Sequence, residues 1–313
     1  MRLMEGVGGV DRPAAEQYPA IAVIAESEFP ALYRAADQNS LAGQRRYLTA
    51  TGLRLAMLVA AAIFGLASWR TSGGDVLGIA AAVAFGVALL SELYLLQERP
   101  DRMWYDGRTA AESAKTLTWR YLVGGNPFGK ANLSDQDAEQ LLLHRFAQIA
   151  QDLRGVHLVP VSGGADQLSD AMRKVRGLPL DARRKQYRCG RIDDQRDWYA
   201  RKARWNEQRA TRWSLALTSL EAVGLAGAVL KATGTVTIDL LGLAGALVAA
   251  GVAWAQAKQH QTLTSAYAVA SQELATIGAQ IDRPSTERDW AHFVDQAEDA
   301  VSRENTLWRA SHS

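Results

Sequence analysis

Any chemistry in this chain has to be argued first from Glu221. It sits in SLALTSLEAVGLAGAVL (214–230), a run with no other charge. A charged residue at the centre of a spanning helix costs on the order of 2.5–3.5 kcal/mol on insertion scales, so its presence needs a reason. Residues three or four apart share a helix face, which groups Ser214, Thr218 and Glu221 with Gly224 and Ala228, opposite a Leu/Val face. Two readings stand side by side. Either the stripe faces a bundle interior or water path, with Glu221 as a pore-facing acid, or Glu221 is neutral and hydrogen-bonded to a neighbouring span. Glu92 lies nearer the polar end of its own apolar run, where its side chain can simply reach the interface.

Other chemistry finds little support. The histidines (His144, His157, His260, His292 and His312) are scattered, without HxxxH or HExxH spacing. The single cysteine, Cys189, excludes an intrachain disulfide framework and a CxxC metal site. Ser162-Gly163-Gly164 is not followed by the Lys and Ser/Thr of a phosphate loop. No nucleophile elbow or Gly-rich nucleotide fingerprint is present. The expectation is a protein that is not an enzyme and carries no cofactor or metal. A net charge of +2 gives no strong attraction to nucleic acid, and none is expected as a partner.

The elements that must position Glu221 are helices in two different solvents. A spanning helix needs about 20 largely apolar residues. Four runs approach that length: about 53–69 and 76–97, joined by the short turn TSGGD, and about 213–230 and 239–257, joined by KATGTVTID. Each pair reads as a transmembrane hairpin, with Arg54 snorkelling from the first turn of the first span. A helix is expected from Pro30 to a close at Arg45 and Arg46, ahead of the first span. The polar stretch before that span lacks the layout of a cleaved secretory signal.

Between and after the hairpins the pattern is amphipathic. Trp104, Ala111, Thr118 and Leu122 form one stripe, ended at Gly124-Gly125-Asn126-Pro127. Ser134 reads as an N-cap for a helix with Ala138, Leu142, Ile149 and Leu153 on its apolar face. A short extended piece, Val156–Val161, precedes a helix start expected at Asp166, and Pro179 breaks that helix. Leu263, Tyr267, Ala270, Leu274, Ile277 and Ile281 follow heptad spacing, suited to intramolecular packing or to an oligomer seam. Trp290, Val294, Ala297 and Val301 mark a last helix. Small residues recur four apart at Gly78, Ala82 and Gly86 and at Gly242 and Ala246, for close helix approach within the chain or between subunits.

The expected fold class is therefore an all-α membrane protein, with two tandem hairpins and long cytosolic helices forming a bundle. Its expected organisation is a flexible N-terminal tail over 1–25, a first unit over 26–125 and a cytosolic helical linker over 126–180. A second unit covers 181–283, and a C-terminal cytosolic helix covers 284–313. Each hairpin turn holds one basic residue, Arg70 and Lys231, while Arg45, Arg46, Arg54, Arg99, Arg102, Arg201, Lys202, Arg204, Arg209 and Arg212 crowd the other side. The positive-inside rule puts both termini in the cytoplasm of a cell whose inner membrane the chain crosses. Four spans can hardly enclose a path alone, so conduction would need a homo-oligomer in the bilayer.

The run Met172, Arg176, Leu178-Pro179-Leu180, Arg183, Tyr187, Arg191-Ile192, Asp194-Gln195, Trp198-Tyr199, Lys202-Ala203 and Asn206, followed by a hairpin, resembles the SLATT domains, also labelled DUF4231. These are two-transmembrane effector domains associated with SMODS nucleotidyltransferases and SLOG nucleotide sensors. The first hairpin, with Tyr105, Glu112, Lys115 and Trp119-Arg120-Tyr121-Leu122 after it, is similar to a second variety. The resemblance implies a bacterial effector that forms pores or disrupts the membrane when a nucleotide reports phage infection. It makes Asp194, Gln195, Trp198, Tyr199, Lys202 and Asn206 the family-like motif. No sensor domain is visible here, so a nucleotide second messenger must act on the helices themselves or through a separate sensing protein. A membrane scaffold recruiting cytosolic partners is the alternative, followed by a proton-coupled transporter, which the absence of inverted repeats disfavours.

Overall fold

The computed structural model describes residues 23–66, 69–72, 74–152 and 166–310, with side chains to Ser302. The expected tail falls outside the described residues up to Ala22, as do Leu153, Val156–Val161 and Ser162-Gly163-Gly164. Ala-, Leu- and Gly-rich runs and charged amphipathic runs both fold as helix here, and what distinguishes them is the solvent each must satisfy. Among the described residues, four helices are long and apolar enough to cross a membrane. The protein is an all-α membrane protein built on two tandem hairpins.

The chain divides into two compact units. The hairpin unit comprises residues 42–105 and 196–272. In it α1 (Ala31–Gly65) and α2 (Val76–Glu98) form the first hairpin, and α7 (Asp194–Ala232) and α8 (Leu240–Lys258) the second. The expected close at Arg45 and Arg46 is corrected: α1 continues through both arginines into the apolar run, because nothing between them breaks a helix. The first span also stops at Gly65 rather than at Trp69. Trp69 instead leads into a small β-hairpin, Arg70–Thr71 against Gly74–Asp75. Asp75 then caps α2, accepting from the N–H groups of Leu77 and Gly78 and from that of Trp69.

Both hairpins close in the same way. Arg99 after α2 and Gln259 after α8 adopt the left-handed conformation, and each N–H bonds back four residues, to the Leu95 and Ala255 carbonyls. A new helix follows at once, α3 (Pro100–Val123) after the first and α9 (His260–Gln280) after the second. This repeated signature fits a duplicated two-span plan.

Within the chain, close helix approach uses residues other than the small-residue stripes. Gly86 has open space where a Cβ would stand, while Gly78 and Gly242 would meet only Asp75 and Asp239, the residues just before their own helices. None of the residues in these stripes is buried. The tight seam instead joins Gly224 and Gly227 of α7 to α8, where a Cβ would come within 2.7 Å of Ala244 and 2.5 Å of Leu240. In α2 the buried face is Ala84, Ala88 and Ser91.

The second unit comprises residues up to Leu41, 106–195 and 273 onward. It takes in the polar part of α3 together with α4 (Asp135–Asp152), α5 (Asp170–Gly177), α6 (Leu180–Tyr187) and α10 (Glu287–Ala310). Ser134 caps α4 as expected, accepting from the Asp137 N–H at 3.1 Å. The helix expected at Asp166 begins at Asp170, because Ser169 is the capping side chain and accepts from the Met172 N–H. Between α6 and α7 the chain makes a π-helical turn, Arg188–Asp193. Trp290, Val294, Ala297 and Val301 bury their shared face in this core.

Candidate functional site

α7 decides where Glu221 stands. It runs unbroken through Trp213, so its charged stretch and its apolar stretch belong to one continuous helix. The face of α7 turned to α8 carries Leu217, Gly224 and Gly227. Ser214, Thr218 and Glu221 lie roughly 60° or more around the helix from Gly224, and all three are exposed. Gly224 belongs to the seam, not to the polar stripe. Glu221 makes no hydrogen bond or ion pair with any described residue. Among the described residues, no hydrogen bond to a neighbouring span satisfies it.

Glu92 has the opposite environment. Its Oε2 lies 2.6 Å from Nη1 of Arg54, so the two charges of the first hairpin neutralise each other. Arg54 and Glu221 each lie eleven residues before the last residue of their helices. At that position the first hairpin holds a paired cation and the second an unpaired acid. Lys231 at the turn of the second hairpin is paired with Asp239 at 3.0 Å.

The motif residues divide between the two units. In the hairpin unit, Trp198 and Tyr199 of α7 pack on Tyr267 of α9, with ring centroids 5.5 and 5.4 Å apart. Lys202 lies over the rings of Trp198 and Trp205. Buried Asn206 meets Nδ1 of His260 at 2.7 Å through its side-chain oxygen, and donates from Nδ2 to the Lys202 carbonyl. The heptad stripe of α9 thus has an intramolecular role at Tyr267. In the other unit Asp194 is exposed, and buried Gln195 accepts from Arg191 at 3.4 Å.

The densest electrostatic construction centres on Glu298, which is fully buried. Arg191 donates to both of its oxygens, at 3.0 and 2.7 Å, and the Tyr187 and Thr116 hydroxyls donate one bond each. This carboxylate holds the Arg191 guanidinium well above its ordinary value even though burial works against it, while burial and Glu298 push the Tyr187 phenol up. Around it, Arg176 reaches Asp135 and the Tyr121 and Phe128 carbonyls, and Arg183 reaches Glu287 and the Val123 and Leu178 carbonyls. Burial would raise the Glu112 carboxyl, but Arg108, Lys115 and Arg191 more than offset it and hold it low. Such a core fixes the geometry of the helices that meet in it.

Glu298 was missed from sequence, although a signal existed. It is one residue after Ala297 and four after Val294, which puts an acid on the buried stripe of α10.

No curated protein and no solved structure matches the chain. Two family profiles do match, and together they span most of it. One is SMODS and SLOG-associating 2TM effector domain 3, over residues 30–184, and the other is SMODS and SLOG-associating 2TM effector domain 1, over 187–308. The motif residues and both hairpins fall within these matches, and the chain belongs to the SLATT family, as a multi-pass membrane protein with two tandem effector domains.

Proposed function

We propose that the chain acts as a homo-oligomeric pore-forming effector of a bacterial conflict system, with Glu221, Thr218 and Ser214 turned to the path between subunits. The observation that carries this reading is the exposed, partnerless Glu221 in the middle of an apolar span, in a protein whose other membrane acid, Glu92, has its own arginine. A lone carboxylate facing lipid is costly, and a water-lined interface between copies removes that cost. The outward Gly78, Ala82 and Gly86 stripe supplies a surface on which copies can approach closely. Both termini lie in the cytoplasm of the inner membrane, following the basic residues on the polar flanks. A nucleotide second messenger, or a separate protein that senses one, releases the activity.

Induced expression with a membrane-potential dye tests the proposal. Wild type depolarises the cell, and Glu221→Gln changes the rate or extent of depolarisation. A solubilised particle with the mass of one chain would overturn it. Unchanged depolarisation in Glu221→Leu would remove Glu221 from the path. A scaffold would keep partner binding in either variant and leave the potential intact.

A further inference from the structure

Two groups of basic residues contrast. Arg120, Arg173, Arg176, Arg183, Arg188 and Arg191 all have carboxylate partners. A second cluster, where α7 and α8 meet the first turn of α9, has none. Arg209 lies over the ring of Trp205 at 5.2 Å, Lys202 over the same ring at 5.5 Å, and Lys258 over Trp254 at 4.9 Å. The His260 ring is 5.5 Å from that of Trp205. None of these cations forms an ion pair with a described residue. Burial first, and then Arg209, pushes the Lys258 ammonium below its ordinary value. His260 is pushed down by burial, then by Lys258 and Arg209. The cations perturb one another.

The position of the cluster identifies the missing anion. Arg209 is four residues, about 6 Å along the helix, from the Trp213 that opens the apolar run. Lys258 is the last residue of α8. Trp205 is 43% exposed, and on the apolar side Leu215 is 64% exposed, offering a surface for acyl chains. An anion held here is at headgroup level with hydrocarbon directly beside it. Indole rings are at home at that level, and their faces hold the cations in place. We propose that Arg209, Lys258, Trp205 and Trp254 form a binding site for the phosphate of an anionic phospholipid. The proposal rests on the spans and is independent of conduction.

Native mass spectrometry of the full chain in neutral detergent, titrated with single lipids, tests it without a charged surface to confuse site and field. Phosphatidylglycerol is expected to give a saturable adduct per chain, and phosphatidylcholine a weaker one. At about fivefold per basic residue at an anionic headgroup, Arg209→Gln with Lys258→Gln lowers phosphatidylglycerol affinity about 25-fold. Arg201→Gln with Arg204→Gln removes the same charge farther from the apolar boundary and changes affinity less than about threefold. If the first double variant misfolds, Lys258→Gln alone is expected to lose about fivefold. Equal losses in the two pairs, or equal binding of the two lipids, would overturn the proposal. Inorganic phosphate that displaces phosphatidylglycerol at comparable concentration would also overturn it, because the site would then take a free anion.

Discussion

Glu298 and Glu221 are the same side chain under opposite conditions. Glu298 is fully buried, and its oxygens accept from an arginine, a tyrosine and a threonine. Glu221 is exposed, has no partner among the described residues and sits in a run that must meet hydrocarbon. A protein that satisfies one acid so thoroughly does not lack the means to satisfy the other. The difference teaches that the polar unit surrounds Glu298 with donors of its own, whereas the described residues of the second hairpin offer Glu221 none.

The first way to break this comparison is to remove each acid. Glu298→Ala removes the hydrogen-bonded counter-charge of buried Arg191, leaving only the pull of Glu112, and is expected to cost about 3–5 kcal/mol, read by thermal or chemical unfolding in detergent. Replacing both, as Arg191→Met with Glu298→Leu, should recover most of that loss, since apolar groups of similar volume substitute well for a buried pair. A double variant no better than the single would mean that Glu298 acts through something besides Arg191. Glu221→Leu should have the opposite sign. Insertion of α7 becomes more favourable by about 2.5–3.5 kcal/mol, measured in a glycosylation-based insertion assay, while function falls. Destabilisation of the solubilised protomer by Glu221→Leu would refute the claim that this acid lacks a partner within the chain.

Arg54 sharpens the contrast between the two hairpins. Arg54→Leu strands Glu92 and should cost about 1–3 kcal/mol, and adding Glu92→Gln should restore much of it. The same rescue logic applied to Glu221 has no arginine to remove.

What was legible in the sequence follows from which forces are local. Hairpins, spans and caps depend on runs of neighbouring residues, so α2, the Ser134 cap and the break at Pro179 could be read directly. The continuity of α1 through Arg45 and Arg46 was harder, because adjacent arginines mark a change of solvent, and a change of solvent does not end a helix. Which face of α7 meets α8 depends on Ala244 and Leu240, placed only once the hairpin closes, so Gly224 was grouped with the wrong stripe. Glu298 lies more than a hundred residues from Arg191, and no local pattern joins them. The motif residues were legible as a string, but not as two sets serving different units, with Gln195 beside Arg191 and Asn206 beside His260.

The smallest effect separates the two units along the pH axis. His260 in the hairpin unit and Glu112 in the polar unit are both held below their ordinary values, 6.5 and 4.5. In each case the unfolded chain takes up its proton at higher pH than the folded one, so stability is lost on acidification. The windows differ. The His260 contribution is complete above pH 6.5 and is lost as pH falls through its depressed folded value, while the Glu112 contribution persists until pH drops below 4.5 and through a value lower still. Mild acid should therefore loosen the α7–α8–α9 junction before it touches the polar core, seen by hydrogen exchange as earlier loss of protection around Asn206 and His260 than around Glu112. His260→Gln should abolish the first step and leave the second, and Glu112→Gln the reverse. If phosphatidylglycerol occupies the basic cluster beside His260, its phosphate favours the protonated ring, and adding that lipid should move the first step to lower pH or erase it. A first step that ignores the lipid would mean that the cluster completes its electrostatics without an anion after all.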